Sequence, residues 1–178
     1  MAEYLSEHFT YEEMIYSDTA KAKGIPNIPS AYHKKILKHT CQYLLEKIRT
    51  LLNEKYTKYK GKEVKYVSIK VTSGYRSPLL NTKVGGSSTS QHVKGEAVDI
   101  EAIIVFKSGR KEVLPYNVLY EDIKVWVKEK RMSVDQCIQE KSGLSKWVHV
   151  SLPPQIAQCR GQFMKYELGM YRMDCIIK

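Results

Sequence analysis

Two histidines and an aspartate stand out because of their neighbours. His92 closes a small-residue stretch, Gly85-Gly86-Ser87-Ser88-Thr89-Ser90-Gln91-His92. Seven residues later Asp99 sits between Val98 and Ile100, at the start of an apolar run. An unpaired carboxylate in such a place is costly, so it needs a partner, and a metal ion would serve. Gly95 lets the chain turn back, so that His92 and Asp99 can face one point. His149 lies in a second apolar run, where it alternates with Trp147 and Ser151 on one face. Two histidines and one carboxylate, with a fourth position open, make the composition of a catalytic zinc site, where a water titrates near 7. The same residues also suit a loop histidine, a strand-end carboxylate and a hydrogen-bonded core histidine, and types and spacing leave both readings open. His8, His33 and His39 stand in acidic or helical surface contexts and read as structural or solvated.

These side chains need elements to hold them. Thr10, with Glu13 three residues on, predicts a short capped helix. Gly24, Pro26 and Pro29 break the chain, and Ser30 can cap the next helix. From Ile36 to Leu52 apolar residues recur at steps of three and four, which predicts a long amphipathic helix over about residues 31–55. The period then changes: residues 64–72 are β-branched, aromatic and partly alternating, a strand pattern. The segment Ser73-Gly74-Tyr75-Arg76-Ser77-Pro78 turns out of it, and residues 79–90 are expected to be loop. Residues 97–106 read as a second strand, with a hairpin partner at 110–114. A helix is expected over 117–130. Ser133-Val134-Asp135 are expected to cap a shorter helix running to about Glu140. Residues 147–152 form a strand stopped by Pro153-Pro154, and 153–178 a mixed tail. Helices and strands in blocks argue an α+β fold with an antiparallel sheet flanked by helices.

The chain has 178 residues, 43% of them hydrophobic and 27% charged, which excludes collagen-like, coiled-coil and wholly disordered classes. It is expected to form one domain over residues 1–178. Apolar runs such as Ile103-Ile104-Val105-Phe106 are too short to span a bilayer. The net charge is +10, and residues 1–20 contain Glu3, Glu7, Glu12, Glu13 and Asp18 with no Lys or Arg, so the rest is more basic still. Such a body favours an anionic partner: nucleic acid, anionic lipid or an acidic wall polymer. Nucleic acid ranks lowest, since there is no zinc-finger spacing and no arginine-dense helix. The thirteen tyrosines suit a peptide groove or half-buried packing. The cysteines at 41, 137, 159 and 175 form no CxxC pair, and free thiols in a reducing cytoplasm are expected. No basic stretch followed by an apolar one opens the sequence, so no secretory signal is read there.

Taken in order, Ser73-Gly74-Tyr75-Arg76, Asn81, the Gly85-to-His92 stretch, Gly95-x-Ala97-Val98-Asp99-Ile100, Asp135-Gln136 and Trp147-Val148-His149-Val150-Ser151 resemble the zinc D-Ala-D-Ala carboxypeptidase family, which includes cell-wall peptidases, phage endolysins and hedgehog-like proteins. His8-Phe9-Thr10, Glu12-Glu13-Met14, Ser17 and Asn27 resemble its phage and prophage branch. The likeness covers about residues 7–152 and leaves 153–178 as an extension. It implies the hedgehog/DD-peptidase-like fold and one Zn²⁺ per chain, held by His92, Asp99 and His149. It also implies that Arg76 stabilises the oxyanion of the tetrahedral intermediate, and that Ser90 helps hold the substrate. Some relatives carry an acidic general base three residues before the last histidine; here that residue is Lys146. Glu140 is the first alternative and Asp135 the second.

The expected function is zinc-dependent hydrolysis of peptide bonds in bacterial peptidoglycan, as an endopeptidase or D,D-carboxypeptidase of the endolysin or virion-associated kind. A non-catalytic zinc module for wall recognition or virion structure is the alternative. The substrate is the peptidoglycan peptide, and other virion or lysis proteins are the expected partners. The chain would be made in the cytoplasm and act at the wall or periplasm after release.

Overall fold

The computed structural model describes residues 2–178 apart from Leu168, with Ala157 described by its backbone alone. Two short helices open the chain, α1 (Tyr11–Ile15) and α2 (Asp18–Lys23). The Thr10 hydroxyl accepts from the Glu13 amide, as expected of an N-cap. The long helix runs as α3 (Ala31–His39), a π-helical stretch (Thr40–Leu45) and α4 (Glu46–Lys55). Its stripe of Leu37, Cys41, Leu44, Leu45, Ile48, Leu51 and Leu52 is fully buried.

Eight strands come after it: β1 (Lys58–Tyr59), β2 (Lys62–Ser73), β3 (Ala97–Phe106), β4 (Lys111–Val113), β5 (Gln136–Ser142), β6 (Ser145–Ser151), β7 (Gln162–Glu167) and β8 (Met170–Ile176). Between them lie α5 (Pro78–Lys83) and α6 (Tyr116–Lys128). The strands form one sheet in the order β1-β2-β3-β6-β5-β7-β8, with β4 paired to β3. Because strand side chains alternate, the two faces part cleanly. Val98, Ile100, Ala102 and Ile104 of β3, Val148 and Val150 of β6, Cys137 of β5 and Phe163 of β7 join the core with the long helix and with Ile123 and Trp126 of α6. The opposite face carries Asp99, His149 and Ser151. The fold is α+β, a mixed sheet flanked by helices.

Three local expectations need correction. Residues 133–140 do not form a helix. Asp135 turns its carboxylate to Arg160 instead of capping, and residues 136–142 are a strand between β6 and β7. The segment 79–90 is helical at its start, because Ser77 caps α5 and Pro78 occupies its first turn. The tail is part of the sheet: β7 joins β5 in parallel, so the sheet is not wholly antiparallel. The four cysteines are free thiols, and no helix among the described residues is long and apolar enough to cross a membrane.

Candidate active site

Asp99 and His149 face each other directly across the antiparallel β3–β6 pair, which sets them on one face of the sheet. His92 reaches them from a single 3-10 turn, Gln91–Lys94. The Ser90 hydroxyl caps that turn by accepting from the His92 amide at 3.3 Å. The turn ends at Gly95, whose φ of 78° is a left-handed conformation. Thr40, in the π-helical stretch, donates to the Gly95 carbonyl at 2.8 Å and so ties the long helix to the loop between the two residues.

Three atoms of the kind that could hold a metal ion converge here. His92 Nε2 lies 3.1 Å from His149 Nδ1 and 3.2 Å from Asp99 Oδ1, and His149 Nδ1 lies 3.0 Å from Asp99 Oδ1. All three residues are buried. Donors about 2.0–2.1 Å from a tetrahedral zinc stand about 3.3 Å apart, so this triangle fits such an ion. The other ring nitrogen of His92, Nδ1, sits 2.7 Å from the Gly74 carbonyl, which can only accept. Nδ1 therefore carries the proton and Nε2 presents a lone pair to the centre, the usual arrangement of an outer-shell contact. Gly74 itself has no room for a side chain: a Cβ there would lie 2.2 Å from the Met14 carbonyl oxygen of α1.

Electrostatics divide the carboxyls. Burial would raise Asp99, but His92 and His149 outweigh it and hold its carboxyl well below the usual range. Burial keeps His92 low and neutral, against the pull of Asp99. Arg76 donates from Nη2 to the second oxygen of Asp99 at 2.5 Å and from Nε to the Ser73 hydroxyl at 2.9 Å. Its guanidinium thus orients the Asp99 carboxylate while lining the same cleft. Glu140 behaves in the opposite way. Burial first, then the charge of Asp99, push it up to about 7, against His149 and Arg76. The two carboxyls are thus moved apart, one held as an anion and one raised toward neutrality.

Glu140 stands opposite Trp147, two rungs along from the Ile138–His149 pair and so on the face that bears the triad. Diagonal positions on one face lie about 7–8 Å apart, within reach of a glutamate. Asp135 is placed differently, at the far end of β5. It accepts from the Arg160 amide at 2.8 Å, from Arg160 Nε at 3.0 and 3.1 Å, and from Gln91 Nε2 at 3.0 Å. Burial raises its carboxyl, but the Arg160 bonds win and hold it low. Asp135 is the anchor of the tail rather than a group free to take a proton. Ser90 lines the cleft beside His92.

A family model for peptidase M15 matches residues 7–114, more than half of the chain. The chain belongs to the peptidase M15 family. No curated protein matched it in a separate search. The matched segment holds Arg76, Ser90, His92 and Asp99, while His149 and Glu140 lie beyond it and are brought to the site by β5 and β6. Peptidase M15 enzymes are zinc-dependent, and the His-Asp-His triangle is the arrangement such an ion needs.

The sequence reading missed what the tail adds to this peptidase cleft. Arg160, Met164, Tyr166 and Tyr171 line it together with the triad, in a space of about 630 Å³. That is ample for a peptide segment. The signal was there in weak form: polar and aromatic residues on both sides of Gly169, in a pattern typical of a hairpin.

Proposed function

We propose that this chain is a zinc-dependent peptidase that cleaves the peptides of bacterial peptidoglycan, in the manner of a phage endolysin or virion-associated lysin. The observation that carries the catalytic half is the pairing of a three-donor metal triangle with Glu140, raised to about 7 on the same sheet face. A cradle for a metal alone would not need a second carboxyl tuned toward neutrality. Membership of the M15 family and the basic body, suited to an acidic wall polymer, support the substrate class.

In this reading His92, Asp99 and His149 hold the ion, which when bound supplies Lewis acidity and lowers the pKa of a water at the site. Glu140 takes a proton from the attacking water and returns it to the leaving amine. Arg76 keeps Asp99 in register, and its remaining donors face the cleft where negative charge develops. Ser90 shapes the wall beside His92. The test is incubation of the zinc-loaded chain with purified peptidoglycan and with synthetic stem peptides, followed by mass spectrometry of the products. New amino termini that disappear with Glu140→Gln are the expected result. Intact peptides after prolonged incubation would contradict it.

A further inference from the structure

The tail hairpin builds one side of the cleft, and its chemistry is specific. Cross-strand register sets Trp147, Glu140, Tyr166 and Tyr171 in a row over four strands: Trp147 opposite Glu140, Glu140 opposite Tyr166, Tyr166 opposite Tyr171. The next rung on the same face, two pairs along, contains His149 and Asp99. The two tyrosine rings pack at 4.6 Å between centroids, tilted by 45°, which restricts the Tyr171 ring from one side. Both line the cleft with Glu140 and the metal triangle. Tyr171 is 58% exposed, so a ligand can reach it. Its hydroxyl has no hydrogen-bond partner among the described residues, in contrast to Tyr56 and Tyr120, which donate to Asp122 and Asp174.

We propose that Tyr171 is a substrate-binding residue: its hydroxyl hydrogen-bonds the peptide on the Glu140 side of the metal triangle, with Tyr166 holding the ring in place. The inference rests on the peptidase reading and names the subsite of that same cleft. Partial burial, then the charge of Glu140, push the phenol up to about 12, so at neutral pH it is a neutral donor. A neutral donor beside a glutamate suits a peptide carbonyl. The subsite therefore presents a hydroxyl donor to a carbonyl of the bound peptide. Position also separates Tyr171 from the chemistry itself. It sits three strands from His149, so it grips the residue flanking the scissile bond and not the reacting atoms.

The experiment measures binding as well as turnover. Soluble peptidoglycan stem peptides are titrated into zinc-loaded Glu140→Gln protein, with and without Tyr171→Phe, by calorimetry. Losing one hydrogen bond of ordinary strength raises Kd about three- to tenfold. Zinc content and thermal midpoint should be unchanged, and in the otherwise native enzyme KM should rise more than kcat falls. Equal Kd for Tyr171→Phe and its parent overturns the proposal, as does an absence of binding to the parent. Tight, Tyr171-dependent binding without hydrolysis by the native chain would instead overturn the peptidase reading while leaving the subsite standing.

Discussion

Replacing Glu140 by Gln should make the metal-free protein more stable at alkaline pH while removing its activity. The magnitude comes from the site. The carboxyl ordinarily titrates at 4.5 and in the folded chain is pushed up to about 7, chiefly by burial and then by Asp99. Between those values the folded chain keeps a proton that the unfolded chain has lost, so stability falls as pH rises through that window. The full penalty is about 3 kcal/mol, and water in the cleft reduces it to about 1–3 kcal/mol. Gln keeps the shape and cannot ionise. The variant and its parent should therefore melt together near pH 5, and the variant should melt several degrees higher at pH 8. The charged and titratable groups facing Glu140 are Asp99, His149, Arg76 and Tyr171. None is altered by the change. The assay is calorimetric unfolding of chelator-treated protein across this pH range, paired with peptidoglycan hydrolysis after zinc is restored. Hydrolysis should fall about 10²- to 10⁴-fold with zinc still bound. A stability gap that does not change with pH would refute the electrostatic reasoning, and full turnover would remove Glu140 from the chemistry.

Asp135→Asn tests the other carboxyl. It weakens the tie to Arg160, which is half exposed, so a loss of about 1–2 kcal/mol in unfolding free energy is expected, with zinc binding and most turnover retained; loss of turnover in a folded, zinc-bound protein would move the base to Asp135. Gly74→Ala drives a Cβ into the Met14 carbonyl and displaces the carbonyl that fixes His92. It should destabilise the fold by more than about 2 kcal/mol and weaken zinc affinity about 10- to 100-fold, read by metal titration. Arg76→Lys keeps the charge but loses the fork shared between Ser73 and Asp99. Steady-state kinetics should show kcat/KM lowered by about 10²-fold at unchanged zinc stoichiometry.

The parts legible in the sequence were those with a local period or an odd neighbour. The long helix was written in the spacing from Ile36 to Leu52; its π-helical stretch at Thr40–Leu45, from which Thr40 bonds the Gly95 carbonyl fifty-five residues away, was not. The metal triangle was legible because a carboxylate between Val98 and Ile100 has few ways to be satisfied. Residues 133–140 misled because a Ser-Val-Asp start resembles a helix cap, whereas the side chain that decides the matter, Arg160, arrives from the tail. Nothing local announces that β7 will pair in parallel with β5, since that choice is made by burial of Phe163 in the core and by the Asp135–Arg160 tie. The tyrosine wall was hidden for the same reason: its position depends on a register across four strands.

The most direct test of the central claim is the zinc content of the purified chain and of His149→Ala by elemental analysis, alongside loss of turbidity of a peptidoglycan suspension before and after chelation. One zinc per native chain, chelator-sensitive lysis restored by zinc, and neither metal nor lysis in His149→Ala are predicted. A native chain that holds no zinc, or a His149→Ala protein that still binds it and lyses, would contradict the convergence of His92, Asp99 and His149 on a catalytic ion.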